Sequence, residues 1–233
     1  MKPNSQIPEK KDYQSTLEVH SIFSTIQGEG PFCGRPAVFV RLAGCNLQCP
    51  GCDTEYTQGR ARMPYLAILK SIHNQLISTN SSANLIVISG GEPFRQKIAP
   101  FVDYLIEHDF DVQIETNGSM QIPLELSSMA TVVCSPKTAK LHPSALHRAN
   151  AFKYVMKAGN VRADDGLPLQ ALDHRATPFI ARPHKSFRGK IYLQPMDEQD
   201  AGYNADNVAA VLASAMKHNY TVQLQIHKLL NVE

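Results

Sequence analysis

The chain is 233 residues long, carries a formal net charge of +2, and is 43% hydrophobic and 19% charged. That supplies enough apolar surface for one large core. It gives too balanced a charge for a general nucleic-acid coat or a polybasic membrane anchor, and no run reaches the roughly 18 apolar residues of a membrane span.

Residues 1–16 are polar and lack the apolar middle of a signal peptide. They predict a flexible lead-in ahead of one domain over 17–233, with a cytoplasmic location. Residues 17–25 and 37–42 are β-branched and apolar and predict strands. Between them, the Gly- and Pro-rich stretch 27–36 must be a loop. Leu66, Leu69, Ile72 and Leu76 recur at helical spacing and predict a helix over 63–78. Residues 85–89 form a short apolar run ending at Gly90-Gly91, as a buried strand would, and Ile98, Val102, Leu105 and Ile106 mark a second helix. Further strands are expected over 111–116, 131–135, 152–156 and 188–194, then a helix over 204–218 and a last strand over 220–226. Segment 157–187 is weakly periodic and receives no assignment.

Strands that alternate with helices predict an α/β class with a largely parallel sheet. Polar groups follow four strand ends: Ser89-Gly90-Gly91-Glu92, Glu115-Thr116-Asn117, Ser135-Pro136-Lys137 and Gln194-Pro195. Parallel α/β folds bind ligands at that edge, so the four clusters point to one site.

The five cysteines are Cys33, Cys45, Cys49, Cys52 and Cys134. An odd count with three packed together is a poor disulfide framework; in a reducing compartment it reads as thiolate ligands for a soft metal centre. The spacing is C-x3-C-x2-C. Each iron of a cubane cluster wants one external ligand, so three cysteines leave one iron open for a small molecule. Two other readings stand beside this: a structural zinc site, which usually comes as two separated pairs, and a redox C-x2-C at Cys49 and Cys52, which leaves Cys45 unexplained.

C-x3-C-x2-C resembles the signature of the radical S-adenosylmethionine (SAM) superfamily. Gly90-Gly91-Glu92-Pro93, beginning 38 residues beyond Cys52, resembles its GGEP element, which receives the SAM amino group. The rest of the chain, over about 17–233, is similar to the 7-carboxy-7-deazaguanine synthase (QueE) family. The matches are Gln27-Gly28-Glu29-Gly30, Phe39-Val40-Arg41-Leu42-Ala43-Gly44-Cys45-Asn46-Leu47, Cys52-Asp53-Thr54, Glu115-Thr116-Asn117-Gly118, Ser135-Pro136-Lys137, Leu193-Gln194-Pro195-Met196 and His227-Lys228 with Leu230-Asn231.

The resemblance implies an abbreviated (partial) β/α barrel of the radical SAM type. It also implies conversion of 6-carboxy-5,6,7,8-tetrahydropterin to 7-carboxy-7-deazaguanine and ammonia, a step towards queuosine and related deazapurines. The implied cofactors are a [4Fe–4S] cluster on Cys45, Cys49 and Cys52, SAM, and Mg2+ at Thr54. SAM would contact Gly91, Ser135, Pro136, Lys137, Gln194, Pro195, Met196 and Asp197. The pterin would contact Ile26, Gln27, Gly28, Glu29, Arg41, Ser89, His227 and the terminal carboxylate of Glu233. An electron donor such as flavodoxin and a homodimer are also implied, with no nucleic-acid or membrane partner. One departure is Gly51, where many superfamily members carry an aromatic residue that packs on adenine. The rivals are a glycyl-radical activating enzyme, which shares cluster and SAM but acts on a protein, and a non-enzymatic Fe–S or zinc sensor, which has no use for the strand-end polar groups.

Overall fold

A computed structural model describes residues 15–56, 58–174 and 178–232. The described residues form one sheet from β1 (Thr16–Ile26), β2 (Pro36–Leu42), β3 (Ala61–Pro64), β4 (Leu85–Gly90), β5 (Asp111–Thr116), β6 (Thr131–Cys134), β7 (Ala151–Met156), β8 (Lys190–Pro195) and β9 (Thr221–Val222). The strand order is β3-β1-β2-β4-β5-β6-β7-β8-β9. From β2 to β9 every neighbour is parallel, and only β1 runs antiparallel, to β2 and β3. The helices are α1 (Tyr65–Ser78), α2 (Ala99–Ile106), α3 (Pro143–Arg148), α4 (Ala201–His218) and α5 (Ile226–Leu229). The expectation of a largely parallel α/β sheet therefore holds.

The two-residue period of a strand sorts its side chains onto opposite faces. Val38, Val40, Leu42, Ile86, Ile88, Val112, Ile114 and Val132 face the helices, in one core with Ile68, Ile72, Phe101 and Leu105 of α1 and α2. Phe152, Tyr154, Met156 and Leu193 continue that face, with Val211 and Ala215 of α4. The intervening positions carry Arg41, Ser89, Gln113, Glu115, Lys153 and Gln194. These strands thus place hydrocarbon against the helices and polar groups on the other face. A register shift between Val19 and Ser21 lets β1 keep Leu17 and Val19 in the helix-side core while Phe23 pairs with Phe39 on the opposite face.

The structure departs from these expectations at several points. The helix over 63–78 begins only at Tyr65, because Met63 and Pro64 pair with Leu17 and Thr16 as the end of β3. The short α3 was not foreseen; Pro143 opens it and the His142 ring accepts a hydrogen bond from Ser144 N. The strand over 220–226 shortens to β9, and from Ile226 the chain turns helical. Segment 157–187 is packed where it is described. Leu167, Ala171 and Ile180 share a core with Phe152 and Tyr154. The Arg182 guanidinium forks onto Asp165 at 2.8 and 3.2 Å, and Tyr154 donates to Ala181 O at 2.8 Å. Burial of loop carbonyls with donors aimed at them holds this segment without a regular period, which is why periodicity missed it. No helix among the described residues is long and apolar enough to cross a membrane. Residues 1–14 of the expected lead-in lie outside the described residues.

Candidate active site

The C-terminal edge of the parallel strands opens into a cavity of about 330 Å3, within the size range of small-molecule sites. All four strand-end clusters contribute to its wall, as Ser89, Gly90, Gly91, Glu115, Thr116, Asn117, Ser135, Lys137, Gln194 and Pro195 line it. So do Cys45, Cys49 and Cys52.

The loop after β2 carries the cysteines and is tied to the loop after β4. Glu92 N donates to Gly44 O at 3.0 Å, Gly91 N to Leu42 O at 3.3 Å, and Gly44 N to Tyr56 O at 3.0 Å. A Cβ on Gly91 would strike the Gly44 carbonyl, so only glycine permits this approach. Gly90 sits at φ +123°, a conformation side chains rarely adopt. The Glu92 carboxylate is fully buried and accepts from Thr116 Oγ1 and Asn117 N at 2.8 Å and Phe94 N at 3.1 Å. It therefore pins the ends of β4 and β5 together and does not itself face the cavity. Burial pushes its carboxyl upward, against the pull of those donors.

Three thiols on one loop are the kind of donor set a cubane with one open iron takes. All three thiols are free and border one cavity. Among the described residues no three His, Cys, Asp or Glu converge on a point as a single ion demands, whereas the irons of a cubane are spread over its corners. Burial raises the Cys49 thiol, and the Lys137 charge draws it back. Cys134 is buried in the apolar core, its thiol pushed far up by burial, and Cys33 donates its S–H to Gly28 O at 3.3 Å. Neither lines the cavity.

Lys137 Nζ donates to Ser135 O at 2.9 Å and Ser135 Oγ at 2.5 Å. Burial, with repulsion from Lys153, lowers its pKa to about 8, leaving it a cation at neutral pH that lacks a full counter-charge. In the same cavity Glu29 pairs with Lys153, and its Oε1 accepts from Gln225 Nε2 at 2.9 Å. Burial alone would raise the Glu29 carboxyl; the Lys153 charge and hydrogen bonds overcome it and hold the group well below its usual range. Glu115 Oε1 accepts from Gln27 at 3.0 Å and Gln113 at 3.1 Å. Gln223 joins Gly30 N and Gln194 Oε1, at 2.5 and 2.7 Å, so the chain after β9 clamps the 27–30 loop. The Arg41 guanidinium lies 4.9 Å over the Phe23 ring, which stacks on Phe39. Thr54 Oγ1 is 3.4 Å from Asp53 Oδ1, and Lys228 reaches both Asp53, at 3.6 Å, and Asp197, at 3.0 Å.

Most of the expected site residues come together here: Ile26, Gln27, Glu29, Arg41, Thr54, Met196, Asp197 and His227 line the cavity with those above. Gly28 does not; the His227 ring packs where its side chain would be. Pro136 is buried behind the wall, and Glu233 lies outside the described residues. Gly51 is explained by packing. Its N–H donates to Leu172 O at 2.9 Å, and a Cβ there would meet Met196 Cε at 2.9 Å. Segment 157–187 thus supplies Leu172 to the wall where a side chain at 51 would stand. Sequence reasoning missed Lys153, Gln225 and Leu172. For Lys153 the signal was present: it shares strand parity with Arg41, Glu115 and Gln194.

Comparison with known proteins matches residues 26–124 to a 4Fe-4S single cluster domain family. The chain is 37% identical to a 7-carboxy-7-deazaguanine synthase of Rhodospirillum rubrum, covering 97% of this chain and 96% of the relative. It is 30% identical to the one of Escherichia coli K12, covering 92% and 98%. The crystal structure of QueE from Escherichia coli superposes with a TM-score of 0.68 at 22% identity, covering 94% of this chain and 99% of that one; it shares this partial-barrel fold.

Proposed function

We propose roles for this cavity from one premise: the chain belongs to the 7-carboxy-7-deazaguanine synthase family. It is a radical SAM lyase with a [4Fe–4S] cluster and SAM as cofactors, and it acts in the queuosine pathway. It converts 6-carboxy-5,6,7,8-tetrahydropterin to 7-carboxy-7-deazaguanine and ammonia. The observation that carries this reading is the union, in one cavity, of the three thiols, the Lys137 cation and the carboxylates of Glu29 and Glu115. A cavity of small-molecule size lined by these groups favours a heterocycle over the protein loop that a glycyl-radical activating enzyme must admit.

Cluster and SAM, when bound, supply the one-electron chemistry; the chain binds, orients and shields. Cys45, Cys49 and Cys52 hold the cluster. Lys137 and Ser135 bind the SAM carboxylate, Gly91 offers backbone acceptors to its ammonium, and Gln194 meets its ribose. Leu172 and Met196 pack on the adenine in place of the aromatic residue absent at Gly51. Pro195 and Asp197 complete that wall, and Pro136 sets the turn that presents Lys137. On the substrate side Gln27 and Glu29 read the amino and amide edge, with Ile26 against the ring and Gly28 making room for His227. Arg41 pairs with the substrate carboxylate, and Ser89 keeps a hydroxyl beside it. Thr54 offers a hard oxygen to Mg2+, and the neighbouring Asp53 carboxylate supports a cation there.

A flavodoxin-like donor is part of this proposal. The exposed Arg95 lies beside Gly44 of the cluster loop, next to an Arg60 already paired with Glu18 at 3.4 Å, and offers a cation to an acidic partner. A homodimer is another part, supported by the exposed Leu212, Met216, Val222 and Leu224 on α4 and around β9. A cytoplasmic location is supported by five free thiols among the described residues.

Two measurements test the assignments. Arg41→Lys is expected to lower kcat/KM for the carboxylated tetrahydropterin by roughly 100-fold, because a point charge replaces a planar fork. A pterin without the carboxylate should be a poor substrate for both proteins; equal turnover of the two pterins by the native enzyme would remove the role of Arg41. Lys137→Ala is expected to weaken SAM binding about tenfold or more by calorimetry, leaving the pterin KM near its native value.

A further inference from the structure

Lys153 has no part in the roles above, yet it sits in the middle of a buried parallel strand. The parity of β7 sends Phe152, Tyr154 and Met156 into the core and turns Lys153 and Val155 towards the cavity. A lysine there gives up its hydration and needs a partner. Its Nζ meets Glu29 Oε2, and each side chain is only 11% exposed. The other Glu29 oxygen is taken by Gln225.

We infer that Lys153 is the positioning residue that keeps Glu29 ionised and aimed at adjacent N–H donors on the substrate heterocycle, which makes the Lys153–Glu29 pair a specificity element for an amino-pyrimidinone edge. This rests on the substrate reading given above. A carboxylate accepts two parallel hydrogen bonds, whereas a protonated carboxyl presents one donor to a donor edge and repels it. Burial pushes Glu29 towards the protonated form, and Lys153 reverses that push.

Two other roles fit less well. As a proton donor Lys153 is poor, because Glu29 raises its pKa, followed by Glu115 and Asp53, despite burial. As a mere staple it is uneconomical, since a buried ion pair seldom stabilises more than well-packed hydrocarbon of the same shape. The other charged or titratable groups that face the pair are Glu115 of β5, Lys137 after β6, Asp53 of the cysteine loop, His227 of α5 and the neutral Cys33 thiol, whose pKa burial and Glu29 raise. Glu115 and Asp53 disfavour an ionised Glu29 and Lys137 and His227 favour it, so among these groups Lys153, in direct contact, decides the balance.

The test uses the reconstituted holoenzyme with the carboxytetrahydropterin from about pH 6 to pH 9. Lys153→Met is expected to raise the pterin KM about 10- to 100-fold while SAM affinity stays within about twofold. With the cation gone, burial lifts the Glu29 pKa, and its ionised share grows as pH rises. The variant should therefore show a kcat/KM that climbs with pH where the native profile is flat. Lys153→Arg, which keeps the charge, should recover most of the affinity and the flat profile. Glu29→Gln should raise KM without the new pH limb, and the Glu29→Gln, Lys153→Met double variant should match Glu29→Gln alone, because both act through one carboxylate. If Lys153→Met is too unstable to load cluster, the Arg variant and the double variant carry the decision. An unchanged KM and pH profile in Lys153→Met overturns the inference, as does additivity in the double variant or an Arg variant no better than Met. Native enzyme that makes no deazaguanine overturns the substrate reading instead.

Discussion

Cys49→Ala is expected to abolish SAM cleavage and deazaguanine formation together, with loss of most bound iron. Each cysteine of the 45–52 loop serves one iron, so removing the middle one leaves two thiols for a cubane that needs three from the protein. No other cysteine can stand in. Cys33 lies off the cavity, bonded to Gly28 O, and Cys134 is sealed in apolar core with its thiol held protonated by burial. Cys134→Ala is the matched control and should keep the native iron and sulfide content. Iron analysis and the visible absorption of the reconstituted proteins measure both. A Cys49→Ala protein that retains its cluster and cleaves SAM would show that the cysteine loop is not the ligand set.

Gly91→Ala should be nearly as damaging although it adds one methyl group. The new Cβ would meet the Gly44 carbonyl and the Cys45 amide, both backbone, so no rotamer relieves the clash. The loops after β2 and β4 are fixed against each other by the Gly91–Leu42 and Glu92–Gly44 hydrogen bonds, so relief must come from moving the cysteine loop itself. A shift of about 1 Å at a reacting centre costs on the order of 100-fold, and a loss of at least that size in SAM cleavage is expected. The clash falls on Gly44 and Cys45, which lie outside the helices and strands, so far-UV circular dichroism should stay native. Cleavage within about twofold of native would mean the two loops are not held as described.

Much of the fold was legible in the sequence because its strands are buried on one face by hydrocarbon. Ile86 and Ile88, or Val112 and Ile114, announce themselves as apolar runs before Gly90-Gly91 and Glu115-Thr116. The elements that were missed are held by other means. β3 exists through its pairing with Leu17 and Val19, and α3 through Pro143 and the His142 cap, neither of which leaves a periodic pattern. After β9 the alternation of Val222, Leu224 and Ile226 mimics a strand, but Gln223 and Gln225 spend their amides on Gln194, Gly30 and Glu29, and the backbone follows those contacts. The site was legible where motifs stand at strand ends, as at Cys45, Ser135 and Gln194. Lys153 was legible only as a polar residue on the cavity-facing parity of its strand; its partner, on a loop 124 residues away, was not, because no local pattern records that contact.

The most direct test of the central assignment is anaerobic turnover by the reconstituted, dithionite-reduced protein with SAM, magnesium and 6-carboxy-5,6,7,8-tetrahydropterin, assayed for 5′-deoxyadenosine and 7-carboxy-7-deazaguanine in the same sample. Both products are expected, each dependent on the pterin and the cluster. Release of 5′-deoxyadenosine without any deazaguanine would contradict the substrate assignment, and release of neither by protein with a full cluster would contradict the reaction class as well.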